Sequence, residues 1–332
     1  MLSVLVKAMS IPAERTSSPQ LHTARLWFAS SHLLAMLQQE FFAHWRGALR
    51  RFDLDEVHDL RVASRRLREG LALFAPLLPE KKVARLSRRV KKLTIMLGDL
   101  RNVDEALLFF SGLERPASGA APAGTDELLR TLSKEREAAQ KELTRALARF
   151  RAVRLEMELA ELTEQVTPFK PRSVDPFIGI GLFAAGALEE RVKLVEELFP
   201  AALHEEDAVA QHRLRIAFKK LRYRLEILAP LLEGTDSARC LSPSEQLRRV
   251  LKRYQDLLGK LHDLDVFAEM VQERVAPGTG REELLQVLAQ HRAVLFTDFR
   301  QAHREQPLES LVSQISAELR LPHRPDQAGT QL

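Results

Sequence analysis

Apolar residues recur at three- and four-residue spacings through almost every long segment of the chain, and no stretch sustains alternation over a β-branched run. That periodicity predicts helices and no sheet. Helices are expected over about 20–51, 55–78, 80–113 and 125–166, then over 176–199, 205–233, 244–275 and 281–306. Loops rich in Pro, Gly and Ala separate them at 115–124, 233–244 and 276–280. A short amphipathic segment around 308–319 is a candidate ninth helix. Pro168, Pro171 and Pro176 mark 167–176 as a joint between two halves. The chain therefore reads as all-α. It has an extension (1–19), a first four-helix half (20–166), the joint, a second four-helix half (177–320) and a tail (321–332).

Two sets of four helices about a joint call for a repeat test. Residues 58–78 align without gaps on 212–232, with 11 identities in 21 pairs. The following helix repeats too: Leu97-Gly98 to Asp104 (LGDLRNVD) matches Leu258-Gly259 to Asp265 (LGKLHDLD). The chain is an internal duplication, and its expected packing is two four-helix bundles about a pseudo-two-fold axis.

On the repeated helix, ~100° per residue sorts the side chains into two faces. Leu60, Ala63, Leu67, Leu71, Phe74 and Leu78 form an apolar stripe, matched by Leu214, Ala217, Leu221, Leu225, Leu228 and Leu232. His58, Arg61, Arg65 and Arg68 lie nearly opposite, matched by His212, Arg215, Lys219 and Arg222. An ordinary solvated face mixes signs in i,i+4 pairs. Here 61–68 holds four cations and no acid, 213–224 holds six and none, and 81–92 holds seven and none. Arg88, Arg89 and Lys92, with Lys252 and Arg253 in the second half, extend the candidate set. Acids gather instead on the fourth helix, where Glu156 and Glu158 are expected to face solvent. Segregation of this kind points to an anionic partner.

Composition narrows the classes further. The 332 residues carry 50 Lys+Arg against 45 Asp+Glu, a net charge of +5, with 45% hydrophobic and 6% aromatic residues. That balance excludes a disordered chain, and a single cysteine, Cys240, excludes a disulfide scaffold. No apolar run reaches the ~20 residues of a membrane span, and the run from Leu2 to Val6 is short for a leader. A soluble cytoplasmic protein is expected. Phe177 to Leu188 is apolar nearly all round and is expected to be a helix buried between the bundles.

The two copies, His58-x-x-Arg61-Val62-x-x-Arg65-Arg66-Leu67-Arg68 and His212-x-x-Arg215-Ile216-x-x-Lys219-Lys220-Leu221-Arg222-Tyr223, with the two Leu-Gly-x-Leu-x-x-x-Asp elements, resemble the CHAD (conserved histidine α-helical domain) family. The resemblance spans about residues 20–306. It implies two helical bundles with a basic groove or pore that binds inorganic polyphosphate, and in some members an association with polyphosphate granules. It assigns that contact to His58, Arg61, Arg65, Arg66 and Arg68, and to His212, Arg215, Lys219, Lys220 and Arg222.

Rival readings are weaker. Nucleic acid answers to the same cations, but two Trp and two Tyr leave little for base stacking, and Trp27 and Trp45 sit in an apolar-rich helix. Weak nucleic-acid binding stays open. An enzyme would need clustered carboxylates, an activated nucleophile or a Gly-rich phosphate loop, none of which occurs as a motif. No cofactor or metal is expected; a His58–His212 ligand pair is disfavoured by the cations around it. A granule-coating scaffold using apolar helix faces is the remaining alternative.

Overall fold

The computed structural model describes residues 24–51, 54–113, 124–164, 174–232, 243–308 and 310–313. Among these the chain forms α1 (Leu26–Arg51), α2 (Leu54–Leu73), α3 (Glu80–Ser111), α4 (Thr125–Arg149) and α5 (Ala152–Glu164), then α6 (Ile180–Ala202), α7 (Ala208–Leu232), α8 (Pro243–Arg274) and α9 (Thr279–Glu305). A 3-10 turn over Ala75–Leu77 follows α2, with Pro76 inside it, so the expected helix to 78 stops at Leu73. The extension over 1–19, most of the loops at 115–124 and 233–244, the joint's 167–173, the end of the second half from 314 and the tail over 321–332 lie outside the described residues. Of the candidate ninth helix, Leu308 and Leu311 are buried in the core.

The duplication governs packing. α1 on α2, α2 on α3 and α3 on α4 recur as α6 on α7, α7 on α8 and α8 on α9. The halves meet where α2 crosses α7 and α3 meets α8. The apolar stripes do what their spacing requires: Leu60, Leu67, Leu71 and Phe74 are fully buried, and Leu214 and Leu228 match them. Leu232 has a side chain outside the described residues. The segment after the joint docks on the start of α1, where Leu26 N–H donates to the Ile178 carbonyl at 2.9 Å and Ile180 N–H to that of Ala24 at 3.1 Å.

Two expectations need correction. Among the described residues the first half has five α-helices, because the predicted 125–166 helix breaks at Phe150, whose backbone is extended (φ −71°, ψ 116°). Its ring lies 4.8 Å from that of Trp45, and the turn lets α5 pack against α1 and α3. No Gly or Pro signals the break. The buried positions Leu143, Leu147, Leu155, Leu159 and Leu162 step by four and three except across the turn, where Phe150 to Leu155 spans five. The apolar helix after the joint is also not buried all round. Ile180, Ala184 and Leu188 face the core, but Leu182 is 72% exposed and Phe177 44%.

Ion pairs fasten α2 to α7. Arg224, 5% exposed, donates from Nε to Glu69 on α2 at 2.9 Å and from Nη1 to the Ala187 carbonyl on α6 at 2.6 Å. Arg66 answers in the other direction, with Nε on Glu226 of α7 at 2.8 Å and Nη1 on Glu40 of α1. Removing one partner of a buried pair strands the other's charge. Glu69→Ala should therefore cost about 3 kcal/mol in urea unfolding. Glu190→Ala, which removes a 65%-exposed carboxylate from the same Arg224, should cost less than about 1 kcal/mol.

Candidate functional site

With the leucines of α2 and α7 committed to the core, their cationic faces are oriented by packing alone, and the two faces converge. Arg61 senses the charges of Arg65, Arg101 and Arg215; Arg215 senses Arg65; Lys219 senses Arg215, Arg65 and Arg61. Residues from both copies, 154 positions apart in sequence, thus share one electrostatic neighbourhood. α3 adds Arg101, and α8 adds His262 and Asp263.

Crowding of like charge in a partly dehydrated place makes each proton harder to hold. Burial, and then Arg215, Arg65 and Arg61, push the Lys219 ammonium down to about 6. Burial and Arg65 bring Arg61 down to about 10. Burial lowers His58, with Arg101 next, and lowers His212, with Arg215 next. His262 falls to about 3 through burial, Arg215, His212 and Lys219. Carboxylates temper the cluster: Asp263 lies 3.8 Å from Arg215, with burial holding its own protonation range above the usual one, while Asp59 acts on His58 and Asp265 on His212. Arg101 pairs with Glu105 at the margin.

The buried Nε–H groups of Arg61 and Arg215 find no protein acceptor. These are duplicated positions, and each guanidinium lies against a duplicated glycine. A Cβ on Gly98 would stand 3.9 Å from Arg61 Nε, and one on Gly259 would stand 3.9 Å from Arg215 Nε. The aspartates that close the Leu-Gly elements play another part. Asp104 accepts from Arg136 on α4 at 2.6 Å, and Asp265 from Arg292 on α9 at 2.7 Å, so both tie the third helix of a half to its last long one.

Not every candidate joins this cluster. Arg66 belongs to the fastening between α2 and α7. Arg222 lies 3.3 Å from Glu226 with its guanidinium over the Tyr223 ring, and its buried Nε–H likewise has no hydrogen-bond acceptor. Lys220 is half-buried on the same helix, and Arg68, lowered by burial and by Arg65, stays on the cationic side. Arg89 is held by Glu158 at 2.8 Å and Arg253 by Glu305 at 2.6 Å, while Arg88, Lys92 and Lys252 are exposed. Glu158 does not face solvent as expected: Arg85, Arg89 and Arg154 surround it. His212 meets His262, Nδ1 to Nδ1 at 3.1 Å, and not His58. Among the described residues no group of three His, Cys, Asp or Glu gathers as metal ligands, and no helix is long and apolar enough to cross a membrane.

A family model of the CHAD domain matches residues 32–257. The chain belongs to the CHAD domain family. Among solved structures, the CHAD domain from the plant Ricinus communis has the same fold at 22% identity, with a TM-score of 0.61 and coverage of 89% of this chain and 93% of that one. PptA from Streptomyces chartreusis, at 17% identity, has a TM-score of 0.63, with 85% and 100% covered. No curated protein sequence matches the chain.

The charge sharing in this CHAD domain has a consequence for stability. A lysine in the unfolded chain keeps its proton up to its ordinary value of 10.5, whereas folded Lys219 loses it at about 6. Between those values the unfolded chain binds more protons, so stability falls as pH falls, by up to ~1.4 kcal/mol per unit. Lys219→Met removes this dependence. Urea unfolding should show the variant's advantage over wild type to be larger at pH 7 than at pH 10.

Proposed function

We propose that this CHAD domain binds inorganic polyphosphate, without cleaving it, along a lane formed by the cationic faces of α2 and α7 with contributions from α3 and α8. The observation that carries the reading is the confrontation of Arg61 and Arg65 with Arg215 and Lys219, in which the buried Nε–H groups of Arg61 and Arg215 lack protein acceptors. A phosphate oxygen supplies what those donors need, and arginine meets it with forked, charge-assisted hydrogen bonds. A polymer of phosphates supplies it repeatedly along one line. The stripe from His58 to Arg68 runs ~15 Å, so several consecutive phosphates would lie on each copy.

Repulsion stored in the unliganded cluster favours this ligand twice. Polyanion charge relieves it directly, and it lets Lys219 and the histidines take up protons that the bare site rejects. The family resemblance implies the same ligand. Nucleic acid would satisfy the cations equally, but Trp45, Tyr223 and Tyr254 are all buried, so none of the three offers an open face for stacking bases. Cytoplasmic residence and recruitment to polyphosphate granules accord with the reading and form part of the proposal.

Binding of fluorescently labelled long-chain polyphosphate tests it. Arg65→Glu with Lys219→Glu should weaken affinity roughly a hundredfold or more, with helicity unchanged by circular dichroism. Unchanged affinity, or equal displacement by RNA at fixed ionic strength, would defeat the assignment. Wild-type affinity should rise as pH is lowered from 8 to 6, as Lys219 gains its proton in the complex. Lys219→Met should flatten that rise.

A further inference from the structure

A second concentration of positive charge lies away from the lane, at the break between α4 and α5. Three cations reach it from α3 (Arg85, Arg89 and Lys92) and three from the end of α4 (Arg149), the turn (Arg151) and the start of α5 (Arg154), around a cavity of about 440 Å³. On α3, Lys92 is nine residues before Arg101, which places the two on opposite sides of the helix at ~100° per residue. This cavity and the lane therefore open on different faces of the first half.

Its construction goes beyond a solvated basic face. One carboxylate, Glu158, serves as a hub: Arg89 donates to it at 2.8 Å, Arg154 at 2.9 Å, and Arg85 lies within 3.6 Å. Arg89 is fixed further by the Arg151 carbonyl at 3.4 Å and by the Phe150 ring, 5.8 Å from its guanidinium carbon. Three guanidiniums oriented by one anion keep most of their donors for another partner. Arg149, Arg151 and Lys92 are exposed around them. α5 begins at the same point, and its first turn carries no acid to satisfy the positive end of the helix. Phe150, half-buried, lines the cavity with its ring against Trp45 and beside the Arg89 guanidinium.

We infer that the α4–α5 break is a second anion site, which takes a compact cluster of phosphates. Six cations against one carboxylate exceed what a single phosphate needs and suit several joined ones. The site stands whether or not the lane binds polyphosphate. Its phosphates can come from a strand of long-chain polyphosphate or from a small multiply phosphorylated molecule.

Inorganic tripolyphosphate is the probe, titrated calorimetrically into the full chain at low salt. Wild type should bind two equivalents. Arg149→Glu with Arg151→Glu, both at exposed positions, should leave one, with the lost site weakened roughly tenfold or more. Arg65→Glu with Lys219→Glu should leave the other. If the lane reading alone is wrong, that second variant changes nothing while the first still removes a site. If the site proposed here is wrong, wild type and the Arg149/Arg151 variant bind tripolyphosphate identically. Light scattering with long-chain polyphosphate separates the sources: cross-linking of chains by wild type, absent in the Arg149/Arg151 variant, assigns the site to polymer strands. Cross-linking that persists in a variant deficient in tripolyphosphate binding assigns it to a small phosphorylated molecule.

Discussion

Everything distinctive about this CHAD domain depends on like charges that packing does not allow to separate. α2 and α7 each carry leucines on one face and cations on the other, and each buried leucine contributes about 1.5–3 kcal/mol. Turning either helix to spread its arginines would bring that row of leucines into water. The Arg66–Glu226 and Glu69–Arg224 pairs fasten the helices at their crossing, so sliding is opposed as well. Repulsion among Arg61, Arg65, Arg215 and Lys219 is then relieved by deprotonation, and the lysine yields first because an ammonium gives up its proton more readily than a guanidinium.

Duplication sets the geometry of the cluster, and divergence between the copies sets its chemistry. The structural parts stayed alike: Asp104 with Arg136 and Asp265 with Arg292, Gly98 beneath Arg61 and Gly259 beneath Arg215. The charged parts drifted. Where the first copy has Arg65 and Arg101, the second has Lys219 and His262. At these two positions the first copy has guanidiniums and the second an ammonium and an imidazole, with His262 down to about 3 and Lys219 to about 6. A symmetric scaffold thus presents an asymmetric field, strongest beside α2 and α3 when no anion is present.

Periodicity and repetition made the helices and the two apolar stripes legible in the sequence, because each depends on neighbours three or four residues away. The cationic faces were legible for the same reason, and so was their separation from the core. Pairing was not. Arg66 reaches Glu226 across 160 residues and Arg89 reaches Glu158 across 69, and no local pattern connects them. The cation count along α3 consequently overstated its free charge, since α5 returns Glu158 and Glu161 to it. The break at Phe150 escaped because no Gly or Pro marks it; the five-residue step to Leu155 was its one signal. The His212–His262 contact likewise needed coordinates, since it joins two motifs that were read separately.

The same distinction separates charge that builds the fold from charge that is available to a ligand. Arg66 and Arg224 carry the same guanidinium as Arg61 and Arg215, yet their carboxylate partners make them part of the scaffold. Arg61 and Arg215 keep buried Nε–H groups without an acceptor, Arg61 because its charged neighbours are Arg65, Arg101 and Arg215, and Arg215 although Asp263 lies 3.8 Å away. An arginine buried beside a carboxylate is satisfied when the chain folds. One buried beside other arginines is satisfied only when an anion arrives, and that difference in neighbours, more than the number of basic residues, marks where this domain meets its ligand.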